Sequence, residues 1–181
     1  MTEQKNDFGV GSVEQNIIRM AVPMTVAQIL NLLYNLVDRM YIGHIPGIGA
    51  AALTGVGLFA PILMLINAFA MLSGSGGAPR AAIFMGKKDN ETAEKIMANC
   101  FSLILIFAIG LTILFSIFAP KLLILFGASD ATLPYAVEYA RIYIFGSIFV
   151  LIVLGMNLFI TTQGFSKISM MTTLIGAVIN V

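Results

Sequence analysis

The chain has 181 residues, of which 59% are hydrophobic and only 10% are charged, and its net charge is +1. An ordinary soluble domain carries about 25% charged residues, so this composition excludes a soluble globular domain. The near-zero net charge gives no reason to expect a nucleic-acid partner. The sequence therefore predicts an all-α membrane protein, a polytopic helical bundle that crosses the bilayer several times.

Long hydrophobic runs separated by short polar stretches define the predicted helices. The second run has about 34 residues, which as a helix would measure ~51 Å against a hydrocarbon core of ~30 Å. We therefore expect that helix to protrude, tilt or break, either at Pro61 or at the SGSGG cluster of residues 73–77. In chain order we predict a polar cytosolic segment at 1–15 and a transmembrane bundle at 16–181, with helices at about 16–42, 51–84, 93–118, 131–162 and 168–181.

The connections between these helices are short. The charged stretch at 86–95 predicts a loop that leads into the third helix, with Asp89 or Asn90 as its N-cap. Residues 120–134 predict a longer connection with a short interfacial piece. From residue 168 to the last residue a helix rises only ~21 Å, too little to cross the bilayer. We therefore expect the fifth helix to be incomplete and the chain to be the N-terminal part of a longer protein.

The distribution of lysines and arginines predicts the orientation in the membrane. With the N-terminus in the cytosol, seven of the 10 basic residues face the cytosol and three face the outside. Cytoplasmic loops carry an excess of basic residues, so this distribution favours a cytosolic N-terminus. The seven are Lys5, Arg19, Arg80, Lys87, Lys88, Lys95 and Lys167, and the three are Arg39, Lys121 and Arg141.

The first predicted helix carries a polar seam on an otherwise apolar surface. Gln28, Asn31, Asn35 and Asp38 are spaced 3, 4 and 3 apart, which places them on one stripe of a helix. A charged carboxylate inside a membrane costs about 2.5 kcal/mol or more, so Asp38 points to an ion or proton site. In the alternative interpretation the amides join helices through hydrogen bonds, and Asp38 pairs with a neighbour near the interface. Pro23 removes a backbone hydrogen bond from this helix and is expected to bend it.

Three polar residues on three helices are expected to lie in one layer of the membrane. By helix rise, Asp38 lies ~6 Å below the outer end of the first helix, Asn180 ~18 Å above the inner end of the fifth, and Tyr139 in the outer half of the fourth. The alternatives are an interfacial aromatic belt for the tyrosines of helix four and close packing of small residues for helix five. The tyrosine stripe comprises Tyr135, Tyr139 and Tyr143, and the polar seam of helix five comprises Ser169, Thr173, Gly176 and Asn180.

No motif in the sequence indicates enzymatic chemistry. Two G-x-G-x-x-A stretches, at 47–52 and 55–60, follow no predicted strand and lie at or in membrane helices, so we do not interpret them as dinucleotide sites. His44 stands alone in a loop, and the single cysteine, Cys100, cannot form an internal disulfide. We expect no enzymatic activity, no cofactor other than a coupling ion, and no metal site beyond Na+ at Asp38.

Five stretches, taken together, resemble bacterial members of the multidrug and toxic compound extrusion (MATE) family. They are AVPMTVAQILNLLYNLVDRMYIG, ALTGVGLFAPILML, SGSGGAPRAAIFMGKKDNETAEK, FGASDATLPYAVEYARIY and NLFITTQGFSKISMMTTLIGAVIN, and the likeness begins near residue 15. The resemblance implies a twelve-helix antiporter of two six-helix bundles that exports cationic or apolar drugs against inward H+ or Na+. This chain would supply most of the N-terminal bundle and lack the sixth helix and the C-terminal bundle.

The resemblance also implies roles for individual residues. Asp38 matches an aspartate late in helix one that couples the cation, and Pro23 matches a proline at which that helix can bend. Asn180 matches a helix five asparagine of the same site, and Tyr139 maps to a helix four tyrosine in its network. In the family an aspartate follows the asparagine by four residues, a position that would fall beyond residue 181.

Together these features predict a secondary active antiporter of the bacterial inner membrane that exports drugs or other xenobiotics in exchange for H+ or Na+. Its partners would be small-molecule drugs, the lipid bilayer and the C-terminal bundle, and its substrate cavity would be lined by Gln28, Asn31, Asn35 and Thr173. The alternatives are a lipid-linked sugar flippase of the same superfamily and a non-transporting membrane fragment. A flippase would be expected to carry a more cationic cavity, whereas the seam of helix one combines amides with an acid.

Overall fold

The structure is a computed structural model that describes the backbone of residues 12–180 and the side chains of residues 12–176. Four stretches within this range are long and apolar enough to cross a membrane. They are Val13–Gly43, Gly49–Gly86, Asn90–Leu125 and Leu133–Thr162. The predicted fold class, an all-α multi-pass membrane bundle, is therefore confirmed. In chain order the helices are α1 (Val13–Gly43), α2 (Gly49–Leu58), α3 (Ala60–Gly86), α4 (Asn90–Leu125), α5 (Leu133–Thr162) and α6 (Ser166–Asn180).

The second predicted helix breaks at Phe59, between α2 and α3. Pro61 stands in the first turn of α3, where its missing N–H costs no intrahelical hydrogen bond. Of the two expected break points, Pro61 is therefore right and the glycine cluster at 73–77 is wrong. That cluster stays helical because Gly74 lies against α5 and Gly77 lies against both α4 and α5.

Helix α4 corresponds to the third predicted helix, at 93–118. It is longer than predicted, because it continues through Pro120 as far as Leu125. The predicted connection at 120–134 is therefore wrong for residues 120–125. Ala119 and Leu123 are buried on either side of the proline. This packing holds the last turns in the helix although the proline removes one backbone hydrogen bond.

The other helix starts differ from the predicted ones by two or three residues. α1 begins at Val13 rather than 16, and the hydroxyl of Ser12 caps it by accepting a hydrogen bond from the backbone N–H of Gln15 at 3.2 Å. α5 begins at Leu133 rather than 131, and α6 begins at Ser166 rather than 168. The Ser12 cap sets the start of α1, and hydrophobic runs alone locate helix ends only to within a few residues.

Helices α3, α4 and α5 pack most closely and form the core of the bundle. The outer faces of the same helices expose large apolar side chains, among them Ile113, Ile142 and Phe149, which suits contact with lipid tails. On the inner faces, the almost fully buried residues include Ile66 and Ala70 from α3, Ile104 and Ala108 from α4, and Ile144 and Leu151 from α5.

Helix α1 lies at the edge of this core, packed mainly against α6 and α2. Pro23 is the single fully buried residue along its length, and the helix runs through this proline without interruption. The bend at Pro23 stays a prediction. The polar seam thus lies on a helix whose surface is largely left uncovered by the rest of the described chain.

Candidate functional site

The polar seam of α1 is held together by its two asparagines. Asn35 Nδ2 donates to the backbone oxygen of Asn31 at 2.8 Å and to the Asn31 Oδ1 at 2.7 Å. Asn31 and Asp38 are half-buried, whereas Gln28 and Asn35 are exposed. The seam therefore presents both amide and carboxylate groups at a surface that the described helices do not cover.

Three aromatic rings form a cluster where α5 passes the junction of α2 and α3. The Phe59 ring, which is fully buried, meets Tyr139 edge to face at 5.4 Å and Tyr143 at 5.5 Å. Tyr139 and Tyr143 stack at 6.0 Å with an angle of 27° between their planes. Such pairs contribute about 0.5–1.5 kcal/mol beyond burial, so the cluster fixes the position of the Tyr139 ring.

Asp38 of α1 and Tyr139 of α5 lie within electrostatic range of each other. Tyr139 lies within electrostatic range of Asp38, Arg39 and Tyr34, and Tyr143 lies within range of Tyr34. Asp38 is about 8 Å from the end of α1 and Tyr139 about 9 Å from the start of α5 by helix rise. The electrostatic proximity of the two residues agrees with a shared layer, but this layer and the roles of the two residues in ion coupling stay predictions.

The third residue of the predicted layer, Asn180, has a side chain that lies outside the described residues, so its meeting with Asp38 stays a prediction. Helix α6, which carries Asn180 at its end, packs along α1. Thr173 on the same helix is half-buried, and its hydroxyl donates to the backbone oxygen of Ser169 at 3.3 Å. This hydroxyl is thus engaged within its own helix, and the place of Thr173 in a substrate cavity is untested.

Tyr34, Phe59 and Tyr143 lie beside the site, although the sequence analysis does not place them in it. Tyr34 precedes Asp38 by four residues, so it lies on the same face of α1 and could have been found from that spacing. Tyr143 belongs to the tyrosine stripe of α5. Phe59 gives no such signal, because its position depends on where the second hydrophobic run breaks.

The grouped side chains supply the chemistry of an ion-exchange site. Asp38 is a carboxylate that can hold a proton on one oxygen or accept a small cation, and Tyr139 is a phenol that can donate a hydrogen bond to it. The amides of Asn31 and Asn35 add both donors and acceptors along the same stripe. Within residues 12–176, no group of three His, Cys, Asp or Glu side chains is placed to hold a metal ion.

A protein-family model called MatE matches residues 23–181, which takes in the whole polar seam, the aromatic cluster and α6. The chain belongs to the MatE family. Pro23 is the first residue of the match, so every residue of the candidate site falls within the family region.

Individual MatE-like proteins resemble the chain over nearly its whole length. Probable multidrug resistance protein YoeA of Bacillus subtilis (strain 168) is 25% identical over 170 residues, which are 94% of this chain and 36% of that protein. Multidrug export protein MepA of Staphylococcus saprophyticus is 25% identical over 181 residues, which are 99% of this chain and 39% of that protein. A crystal structure of MATE in the straight conformation matches with a TM-score of 0.86 and 27% identity, covering 98% of this chain and 39% of that one. The chain thus spans less than half the length of these relatives.

Proposed function

We propose that the chain is part of a secondary antiporter that exports cationic or apolar drugs in exchange for H+ or Na+. Membership of the MatE family and similarity to relatives named as multidrug transporters support this proposal. Because the chain spans 36% to 39% of those relatives, we assign the activity to a longer protein in which a second bundle completes the pathway. The proposed activity is transport rather than enzymatic turnover.

The observation that carries the proposal is that Asp38 on α1 and Tyr139 on α5 lie within electrostatic range of each other. In the proposed cycle, Asp38 takes up a proton or Na+ from outside, and its charge is neutralised. Neutralisation weakens its attraction for hydrogen-bond donors such as the Tyr139 hydroxyl and the Asn180 amide. Helix α1 then shifts about Pro23, narrows the cavity and releases the drug outward. Loss of the ion restores the carboxylate, which favours loading of a cationic drug.

The exposed part of the α1 seam fits a cavity shared with a second bundle. Gln28 and Asn35 project from a helix whose other exposed side chains are mostly apolar, such as Leu32 and Leu36. Amides facing lipid would lose hydrogen bonds to water, so a water-filled cleft is the favoured environment for this face. We propose that the seam and Thr173 line this cleft and that a positively charged substrate is attracted by Asp38.

The proposed setting is the bacterial inner membrane with the N-terminus in the cytosol. Short loops bearing Lys87, Lys88 and Lys167 would then face the cytosol, as the excess of basic residues on that side favours. Asp38 and Tyr139 would lie in the outer half of the bilayer, where an ion entering from outside could reach them.

The deciding experiment replaces Asp38 with Asn in the longer protein that contains this chain. Gradient-driven efflux of a fluorescent cation is measured per folded molecule in proteoliposomes, with an imposed H+ or Na+ gradient. We expect Asp38→Asn to abolish ion-driven export while the protein stays folded and binds drug, because the amide keeps the shape and removes the exchangeable charge. Asp130→Asn, the same chemical change in the exposed loop between α4 and α5, is the matched control and should leave export unchanged.

Export at the normal rate by Asp38→Asn would contradict the coupling role. A fall in export that only follows a fall in folded yield would instead assign Asp38 a structural role. The same preparation identifies the ion, because export driven by a Na+ gradient at constant pH requires Na+ coupling and export driven by a pH gradient without Na+ requires H+ coupling.

A further inference from the structure

A groove lies between α4 and α5 and is lined by residues of both helices. Its cavity has a volume of about 210 Å³. Phe115 and Ile144 form its floor, and Phe145, which is 64% exposed, forms part of its rim. Two polar side chains, Ser116 of α4 and Arg141 of α5, also line it, and both are exposed. We call this cavity the α4–α5 groove.

The groove lies at the depth where phospholipid headgroups meet the hydrocarbon core. Helix α5 has 30 residues and measures ~45 Å, so it extends ~7 Å beyond each side of a ~30 Å core. Arg141 is ~12 Å from the start of α5, about 5 Å inside the edge of the core by this measure. A long arginine side chain at that depth reaches the headgroup layer by extending toward the surface.

Arg141 has no counter-charge within the described part of the protein. The ion pair between Lys95 and Glu91 lies far away, at the start of α4. Glu138, one turn nearer the start of α5, is exposed and forms no salt bridge with Arg141. A guanidinium beside hydrocarbon is costly, so an anionic group in the headgroup layer would stabilise an arginine at this depth.

The hydroxyl of Ser116 is likewise left available. Two exposed serines in the membrane helices satisfy their hydroxyl within the helix, Ser75 on the Met71 oxygen at 2.5 Å and Ser102 on the Ala98 oxygen at 3.0 Å. Ser116 forms no such bond within residues 12–176. It therefore presents a free donor into the same groove as Arg141.

We propose that the α4–α5 groove binds the headgroup phosphate of a membrane phospholipid. The planar guanidinium of Arg141 donates two hydrogen bonds to the phosphate oxygens, and the Ser116 hydroxyl donates a third. The acyl chains lie along Phe145 and continue over the exposed apolar face of α5 at Ile142 and Phe149. These apolar side chains favour a phospholipid over a soluble phosphate, because a soluble phosphate has no acyl chains to pack against them. Basic pockets between transmembrane helices are a recognised form of lipid-headgroup site.

The test uses the 181-residue chain, purified in detergent, stripped of lipid and examined by native mass spectrometry. Phosphatidylglycerol is titrated against dioleoylglycerol, which has the same chains without the phosphate, and against inorganic phosphate. We expect one tightly held phosphatidylglycerol per chain and binding of dioleoylglycerol that is weaker by about tenfold or more, the size of a charge-assisted hydrogen-bonded pair. Arg141→Gln should weaken phosphatidylglycerol binding by about the same factor, and Ser116→Ala by less.

Lys121→Gln is the matched control, since it removes a positive charge near the same end of α4 but does not line the groove. It should change the affinity by less than about threefold. Equal binding of phosphatidylglycerol by Arg141→Gln and the unaltered chain would overturn the proposal. So would equal binding of the two lipids, or displacement of the lipid by inorganic phosphate at the same concentration. Should Arg141→Gln fail to fold, the comparison of the two lipids on the unaltered chain still decides.

A second measurement identifies the occupant in the membrane itself. A photo-crosslinking amino acid is placed at Phe145, on the rim of the groove, and the chain is irradiated in cell membranes. Cross-linking to phospholipid, identified by its mass and by removal of the phosphate-bearing part with phospholipase C, supports the proposal. Cross-linking to a second copy of the chain or to another protein in place of lipid would overturn it.

Discussion

Gly74 of α3 and Gly155 of α5 bring the backbones of two core helices into direct contact. A Cβ added to Gly74 would lie 2.6 Å from the carbonyl oxygen of Gly155 and 3.1 Å from its Cα. Both glycines are buried. Because backbone atoms cannot move aside as a flexible side chain can, a larger residue at Gly74 would have to push the helices apart. Close approach through small residues is a common way in which membrane helices associate.

Gly74→Ala should therefore destabilise the bundle, by about 1–3 kcal/mol as expected for overpacking. Gly76→Ala is the matched control on the same helix, because a Cβ there meets nothing within 4 Å. Alanine favours the helix over glycine by up to about 1 kcal/mol, so the control should be neutral or stabilising. Thermal unfolding in one detergent, followed by loss of the monodisperse peak, measures both. Equal melting temperatures for the two variants would contradict the contact.

The glycines also mark the limit of what the sequence could predict about the fold. The order and approximate spans of the long apolar stretches follow from the lengths of the hydrophobic runs, although the second predicted helix is divided into α2 and α3. A local interpretation of residues 73–77 predicts a break, because glycine is a poor helix former in isolation. The structure keeps the helix because Gly74 meets Gly155, about 80 residues further along the chain. That partner cannot be identified from local sequence.

Ser73 provides a second test of the α3 core. Its side chain is 3% exposed, and its hydroxyl has no hydrogen-bond partner among the described residues. Removing a buried polar group without a partner relieves a desolvation penalty of about 1–3 kcal/mol, so Ser73→Ala should raise the free energy of unfolding.

Ser147→Ala is the control for this change, because Ser147 is as deeply buried but its hydroxyl donates to the Ile144 oxygen at 2.6 Å. Losing that bond should lower the free energy of unfolding by about 0.5–1.5 kcal/mol. Denaturant unfolding of both variants under the same conditions gives the comparison. A lower free energy of unfolding for Ser73→Ala than for the unaltered chain would mean that the Ser73 hydroxyl has a hydrogen-bond partner in the purified protein.

Asp89 caps α4 and should give the fold a measurable dependence on pH. Its Oδ1 accepts a hydrogen bond from the Thr92 N–H at 3.1 Å, as the sequence predicts for one of two candidate caps. Hydrogen bonding from Thr92, first from its side chain and then from its backbone, lowers the pKa of Asp89 below the ordinary value of 3.8. A lowered pKa means that the ionised group stabilises the folded state. This stabilisation is full above pH 3.8 and is lost as the pH falls through the folded pKa.

Asp89→Asn keeps an oxygen at the cap and removes the titration, so its melting temperature should fall less than that of the unaltered chain as the pH is lowered from 3.8 through the folded pKa of Asp89. Differential scanning fluorimetry across this range gives both curves. Asp130→Asn, in the exposed loop before α5, is the control. Its melting temperature should fall at low pH by as much as that of the unaltered chain. Parallel curves for Asp89→Asn and the unaltered chain would rule out the contribution of the cap.

The orientation in the membrane can be tested with single cysteines in a Cys100→Ser background. Lys87→Cys lies between α3 and α4, and Pro46→Cys lies between α1 and α2, and both positions are exposed. Because the intervening stretch of α2 and α3 is long enough to cross the bilayer, the two cysteines should react from opposite sides. With the basic loops inside, we expect an impermeant maleimide to label Pro46→Cys in intact cells and Lys87→Cys only after lysis. The reverse pattern would invert the proposed topology.

Part of the candidate site follows from helix geometry, and part requires tertiary structure. Helix rise alone predicts one layer for Asp38 and Tyr139, because the C-terminal end of α1 and the N-terminal end of α5 are expected on the same side of the membrane. It cannot show that the two helices bring these residues within electrostatic range of each other. The place of Phe59 in the site cannot be predicted from the sequence, because its ring is positioned by the break between α2 and α3 and by its contact with Tyr139.

The hydroxyl of Tyr139 allows the structural and the coupling roles of this residue to be separated. Tyr139→Phe keeps the ring that meets Phe59 at 5.4 Å and removes only the hydroxyl, which the proposed mechanism pairs with Asp38. The free energy of unfolding should change by less than about 1.5 kcal/mol, whereas ion-driven export by the longer protein should fall by about tenfold or more, the effect of a lost hydrogen bond to a charged group. Tyr135→Phe is the control, one turn earlier on the same stripe and outside the Phe59 cluster, and it should export normally. If both variants export equally well, Tyr139 contributes to the bundle only through the packing of its ring, and its hydroxyl has no part in coupling.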